Sequence, residues 1–156
     1  MKSSASVEID DWAMGLAIAE ATLALPHGDV PVGAVVVVDG VVVASRHNER
    51  ELTGDPTAHA EVLALRDAAA AIGDGWRCES ATLYVTLEPC LMCTGALLLA
   101  RVARVVYGAA DPKGGACGTL YHAPADPRLS YQCPVTWGIR EAECATILKD
   151  FFADLR

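Results

Sequence analysis

Apolar side chains recur along the chain in two periods, and the switches between them mark out the elements. At residues 7–25, Ile9, Ala13, Leu16, Ala17, Leu23 and Ala24 follow the spacing of one helix face, and Pro26 with His27-Gly28-Asp29 stops it. β-Branched runs at 32–38 and 41–44 flank Asp39-Gly40, the signal of a type I′ hairpin. Both runs are apolar on both faces, so the sheet is expected to be covered on both sides. From 46 to 57 the composition turns polar, with Gly54 and Pro56 marking a loop. A helix is predicted over 58–72, with Ala60, Leu63, Ala64, Ala68 and Ala71 on one face and Gly73 ending it. A strand follows at 82–86, an almost wholly apolar helix at 90–100, and a strand at 102–107. Residues 111–133, rich in Gly, Pro and Asp, predict a long irregular stretch with one short helical turn, of the kind that usually carries function. A short strand near 134–137 and a helix at 140–153, with Cys144, Ile147, Leu148 and Phe151 inward, close the order.

That order implies an α/β fold: a three-layer α/β/α sandwich on a mixed five-stranded sheet, with right-handed parallel strand-helix-strand steps. A chain of 156 residues suits one domain, and 53% hydrophobic with 21% charged residues exclude disorder. No apolar run approaches the roughly 18–20 residues that span a bilayer, and MKSSASVEIDDW lacks the apolar core of a secretory signal. A soluble cytoplasmic protein without a membrane partner is expected. Twelve basic against twenty acidic residues leave a net charge of −8, which argues against holding nucleic acid by bulk electrostatics. A local basic patch stays open. Six cysteines in such a chain favour reduced thiols, metal ligands or catalysis over a disulfide framework.

Two segments carry chemistry: Thr57-Ala58-His59-Ala60-Glu61 and Glu88-Pro89-Cys90-Leu91-Met92-Cys93. Cys90 and Cys93 bring two sulfurs within reach of one small ion, and His59 offers a nitrogen. Three N/S ligands with one open position are the arrangement of a catalytic zinc site; a structural site is closed by a fourth. Both segments open predicted helices, whose partial positive ends favour thiolates. Glu61 is the candidate proton carrier, since water attack on an amino-bearing ring carbon needs protons moved to a ring nitrogen and to ammonia. Two positions apart in an ideal helix point about 200° from each other, so His59 and Glu61 can share a site only at the very start of their helix. A redox pair or half of a structural zinc site is the plainer reading of Cys-x-x-Cys alone.

His59-x-Glu61 with Pro89-Cys90-x-x-Cys93 matches the zinc deaminase signature. Val30-Pro31-Val32-Gly33-Ala34, Asp55-Pro56-Thr57, Thr82-Leu83-Tyr84-Val85-Thr86-Leu87 and Val105-Val106-Tyr107-Gly108-Ala109 extend the match. From about Trp12 to Phe152 the chain resembles the bacterial tRNA-specific adenosine deaminases, which convert the wobble adenosine of an anticodon loop to inosine. The resemblance implies a cytidine-deaminase-like fold, one Zn2+ per subunit on His59, Cys90 and Cys93, Glu61 as proton shuttle, and a homodimer. It also implies a purine contact from Asn48, contact of the backbone N–H groups of Ala60 and of a residue near Cys90 with the substrate or the attacking oxygen, nucleotide-backbone contact from Asp111, and the tRNA anticodon loop as partner.

The chain departs from that family at three places. Ala110 stands where a basic residue is common, Ser130-Tyr131-Gln132 replaces an Asn-His-Arg-like segment, and the closing helix ends with one arginine, Arg156. Arg46, Arg50, Arg101, Lys113 and Arg128 remain as candidate phosphate contacts. Trp76, Trp137, Tyr121 and Tyr131 are candidates for base stacking or for packing, and Cys78, Cys117, Cys133 and Cys144 read as buried free thiols. The apolar 90–100 helix is expected to be buried on every side, in the core or at a subunit contact. Two rival functions stay open: deamination of a free nucleobase or nucleoside of the guanine or cytidine type, and a non-catalytic module with structural zinc.

Overall fold

The hairpin forms because two consecutive residues accept left-handed backbone: Asp39 (φ 49°) and Gly40 (φ 76°) make the type I′ turn between β1 (Gly33–Val38) and β2 (Val41–His47). The computed structural model describes residues 3–155, so Arg156 lies outside it. The remaining elements are helix α1 (Ser4–Thr22), a four-residue helix α2 (Arg50–Thr53), α3 (Ala60–Ile72), β3 (Ala81–Leu87), α4 (Leu91–Leu99), β4 (Arg104–Ala109), β5 (Val135–Trp137) and α5 (Glu141–Asp154). The sheet order is β2-β1-β3-β4-β5, antiparallel through β1–β3 and parallel through β3–β4–β5. The expected mixed five-stranded sheet is present, and one short 3-10 turn at Ala123–Ala125 interrupts the long irregular stretch.

Strict alternation along the central strands builds the three layers. Ala34, Val36, Leu83, Val85, Val105 and Tyr107 pack with α3 and α4, while Val35, Val37, Tyr84 and Val106 pack with α1 and Cys144 of α5. β1 is buried on both faces as expected. β2 is not: it is an edge strand, and Val41 is 62% exposed.

The face of α1 differs from the expected one. Ile9, Leu16 and Leu23 are 41%, 37% and 52% exposed, and the buried stripe is Asp10, Ala13, Met14, Ala17 and Ala21. Small residues win this face because the helix backbone sits directly on the strand: a Cβ on Gly33 would lie 2.0 Å from the Ala17 carbonyl oxygen and 2.6 Å from Ala21 N. Buried Asp10 then accepts from the Tyr84 hydroxyl at 2.9 Å and from both terminal nitrogens of Arg104, tying the helix to β3 and β4. In the apolar α4, Leu97 and Leu98 are buried in the core, while Leu91 and Leu99 are 53% and 77% exposed in the single chain, on the side left for the other alternative, a subunit contact. The four cysteines outside the two motifs are buried free thiols, as expected. Among the described residues no helix is long and apolar enough to cross a membrane.

Gly33→Ala should destabilise the fold by about 3 kcal/mol, because its methyl meets backbone that cannot rotate aside. Thermal unfolding should show a Tm lowered by roughly 6–12 °C for a domain of this size; an unchanged Tm would disprove the close α1–β1 approach.

Candidate active site

The antiparallel and parallel pairings bring the start of β1, the end of β2, and the carboxyl ends of β3 and β4 to one end of the sheet. α3 and α4 begin at that same end. His59 is the N-cap of α3 (φ −73°, ψ 149°) and Cys90 the N-cap of α4 (φ −73°, ψ 178°), both in extended backbone. An N-cap side chain does not follow the helical progression, and neither of these makes a capping hydrogen bond. His59 therefore turns across to the cysteines while Glu61, the second helical residue, keeps a helical direction. This resolves the difficulty that their two-residue spacing poses.

His59 Nδ1 lies 3.6 Å from Cys90 Sγ and 3.4 Å from Cys93 Sγ, and all three donor atoms fall within 4.8 Å of one another. Zinc bonds of about 2.3 Å to sulfur and 2.0–2.1 Å to nitrogen, at a tetrahedral angle, separate S and N by about 3.6 Å. The donor set fits that ion. Hydrogen bonding to Cys93 first, and to His59, outweighs burial and pulls the Cys90 thiol down to about 3, while the same Cys90 contact and burial push Cys93 up. The Cys90 contact also raises His59. Among the described residues this is the only cluster of three or more His, Cys, Asp or Glu able to hold a metal, and no fourth such side chain closes it.

A cavity of about 160 Å³ opens beside the cluster, lined by His59, Ala60, Glu61 and Cys90, with Val30, Val32 and Leu87 as apolar walls. Asn48, Arg50, Glu88 and Asp111 complete it, so the structure gathers every expected site residue here except Cys93, which lies behind as a buried donor. Glu61 is 4% exposed, and burial pushes its carboxyl up. Asn48 is held at both ends: Nδ2 donates to the Val30 carbonyl at 3.2 Å and Oδ1 accepts from Arg50 N at 3.3 Å. One amide hydrogen and one lone pair remain for a ligand.

Glu88, quoted within the motif but given no role by the sequence, proves central. Its carboxylate is buried at 2% exposure, lines the cavity, and accepts the backbone N–H groups of Asp111, Cys117 and Thr119, each at 3.1 Å, together with the Thr119 hydroxyl. Gly115 leaves room for it, since a Cβ there would lie 2.3 Å from the carboxylate carbon. One acceptor-only group thus fixes the loop that presents Asp111 against the metal-ligand turn. A glutamate beside proline and cysteine carries no pattern that marks this; its partners lie 23–31 residues away.

Among the candidate phosphate contacts, two have carboxylate partners within the chain, and exposed Lys113 stands on the loop beside Asp111, whose Oδ1 accepts its backbone N–H at 2.9 Å. Arg46 is paired with Glu49 and Asp67, and Arg128 with Asp126. Arg101 lies over the Tyr131 ring, whose hydroxyl donates to the Arg101 and Val102 carbonyls. Trp76 and Trp137 are exposed at 53% and 63%, outside the core.

Glu88→Gln should put N–H groups where backbone donors need an acceptor, costing about 2 kcal/mol. Hydrogen exchange of residues 111–119 should accelerate while that of α1 stays slow. Unchanged protection in that loop would refute the anchoring role.

Comparison with known proteins agrees with this geometry. Residues 9–156 match the family model of the MafB19-like deaminases. The chain is 49% identical over 147 residues to the tRNA-specific adenosine deaminase of Bacillus subtilis (strain 168), covering 94% of this chain and 91% of that one. A solved structure from studies of A-to-I editing by tRNA:A34 deaminases superposes with a TM-score of 0.84 at 44% identity, covering 88% of this chain and 99% of the other. The guanine deaminase of Bacillus subtilis is more distant, with a TM-score of 0.61 and 32% identity over 79% of this chain and 81% of its own. On its matching residues and their arrangement, the chain belongs to the bacterial tRNA-specific adenosine deaminase family, with the cytidine-deaminase-like fold.

Proposed function

We propose that residues 1–156 are a single zinc-dependent deaminase domain that hydrolyses adenosine to inosine at the wobble position of a tRNA anticodon loop in the cytoplasm. The observation that carries this reading is the placement of Glu61 beside the His59, Cys90 and Cys93 donor set in a cavity sized for one flat ring system. At about 160 Å³ it is smaller than the roughly 300 Å³ at which drug-sized sites begin. A base enters such a cavity when it is splayed out of a flexible loop.

His59 Nδ1, Cys90 Sγ and Cys93 Sγ would hold one zinc ion, which supplies the Lewis acidity that brings the ionisation of water near neutral pH. The remaining work falls to protein groups. Val30, Val32 and Leu87 exclude solvent around the ring, and the free amide hydrogen and lone pair of Asn48 orient the purine edge. The Ala60 N–H, in the first turn of α3 where no helical carbonyl is available, is free to donate to the substrate or the attacking oxygen. Glu61 takes a proton from the attacking water and delivers it to ring N1 as the C6–O bond forms. The proton of the new C6 hydroxyl then passes through the same carboxylate to the amine, the C6–N bond breaks, ammonia leaves, and C6 becomes a carbonyl.

A free nucleobase of the guanine type is the rival substrate that one observation favours: Glu61, Glu88 and Asp111 line the cavity, and carboxylates repel a polyanion. A structural-zinc module is disfavoured by the three-donor cluster. Wild-type protein should release ammonia and form inosine from an anticodon stem-loop, with little turnover of free guanine, adenosine or cytidine. Turnover of the small molecules alone would replace the tRNA assignment. Glu61→Gln should keep a full complement of metal by elemental analysis and lose at least about 100-fold in kcat, whereas Cys93→Ser should lose the metal.

The exposed face of α4 is the surface we assign to a homodimer. Leu91, Met92 and Leu99 lie on it, with exposed Trp76 beside Leu99. Sedimentation equilibrium should report a dimer, and Leu99→Glu, a change at a site 77% exposed in the single chain, should shift it to monomer. A wild-type monomer at micromolar concentration would remove this assignment.

A further inference from the structure

The charges around the cavity do not balance for a substrate that is a nucleotide chain. Three carboxylates line it, the whole chain carries −8, and a single cation, Arg50, stands among the lining residues. Most other arginines are engaged. Arg46, Arg104, Arg128 and Arg140 are held by carboxylates, and Arg77 and Arg101 lie over aromatic rings. The Arg50 guanidinium makes no hydrogen bond or ion pair among the described residues, and the residue is solvent-exposed.

Its backbone, by contrast, is fixed. Arg50 N donates to Asn48 Oδ1, and the next two backbone N–H groups, of Glu51 and Leu52, donate to the buried Asp29 carboxylate at 2.7 and 3.1 Å. Burial raises the Asp29 carboxyl, but those N–H groups and His27 outweigh it and hold it below its usual range. The fold therefore orders a short turn, directly continuous with Asn48, and leaves an exposed guanidinium among the residues that line the cavity. A cavity that takes one ring system leaves the sugar and its two phosphates outside, and Arg50 is the one cation among the residues that line its wall; Lys113 stands on the opposite loop, beside Asp111. Guanidinium forks match phosphate oxygens in geometry as well as sign.

Resting on the deaminase reading above, we infer that Arg50 binds a phosphate flanking the adenosine in the cavity and thereby selects a nucleotide chain over a free base or nucleoside. Inosine formation on an anticodon stem-loop tests it, with Arg50→Gln and Arg50→Lys compared with wild type at several salt concentrations. Arg50→Gln should raise KM about tenfold with the loss falling mainly on KM, and should make the dependence of log kcat/KM on log salt shallower by about 0.7. Arg50→Lys should keep the wild-type salt slope. Metal content and Tm, which a merely structural role would move, should stay at wild-type values. In a stem-loop carrying a neutral methylphosphonate at one of the two phosphates beside the target, the difference between wild type and Arg50→Gln should collapse. An unchanged salt slope in Arg50→Gln, or a difference that survives neutralisation of each flanking phosphate, would overturn this inference and leave the tRNA reading standing. A wild-type chain inactive on the stem-loop would overturn both.

Discussion

Two helix starts meeting at one end of the sheet constrain the rest of this molecule. A residue inside a helix must share its direction with neighbours three and four positions away, so His59 and Glu61 within one helix would diverge by about 200°. Placing His59 at the N-cap, in extended backbone, frees it from that rule and lets one short segment supply both a metal ligand and a proton carrier. Cys90 repeats the device on α4, with Cys93 one turn further into its helix. Neither cap side chain satisfies an orphan backbone N–H, so each helix forgoes the roughly 1 kcal/mol that a serine or aspartate would contribute there. Local stability gives way to ligand geometry.

Buried carboxylates then hold the segments that no regular hydrogen bonding fixes. Glu88 gathers backbone donors from 111–119, and Asp29 gathers those of Glu51 and Leu52. An ionised carboxyl has only acceptor capacity, and converging N–H groups offset the cost of removing it from water. Both rims of the cavity are built this way, one presenting Asp111 and the other Arg50. Rigid loops matter because a flat ring must be held edge-on to Glu61 and the metal-ligand triad within a few tenths of an ångström.

Much of the architecture was legible in the chain. The β-branched run at 32–38, the strands read at 82–86 and 102–107, the Asp39-Gly40 turn and the Gly73 stop are local signals, and local signals report local backbone. The two motifs were legible for the same reason: ligand spacing within a segment is fixed by covalent geometry. The face of α1 was not, because bulky residues promise burial while close backbone approach at Gly33 rewards alanine. For α4 the composition registered an apolar helix without showing which side meets the core, Leu97 and Leu98, and which is left open, Leu91 and Leu99.

The sequence by itself determined the order of elements, the hairpin, the Cys90–Cys93 pair and the acid two residues after His59, for these are signals carried by short segments. That His59 joins the cysteines across 31 residues followed from the resemblance of the two motifs to a known signature. Only the tertiary structure decided that Glu88 anchors the far loop, that Arg46 and Arg128 are already paired, and that Arg50 stands alone at the cavity. Those outcomes depend on which charges meet across 20 or more residues of chain or across a turn, and electrostatic partnership is a property of distance in space that spacing along the chain does not encode.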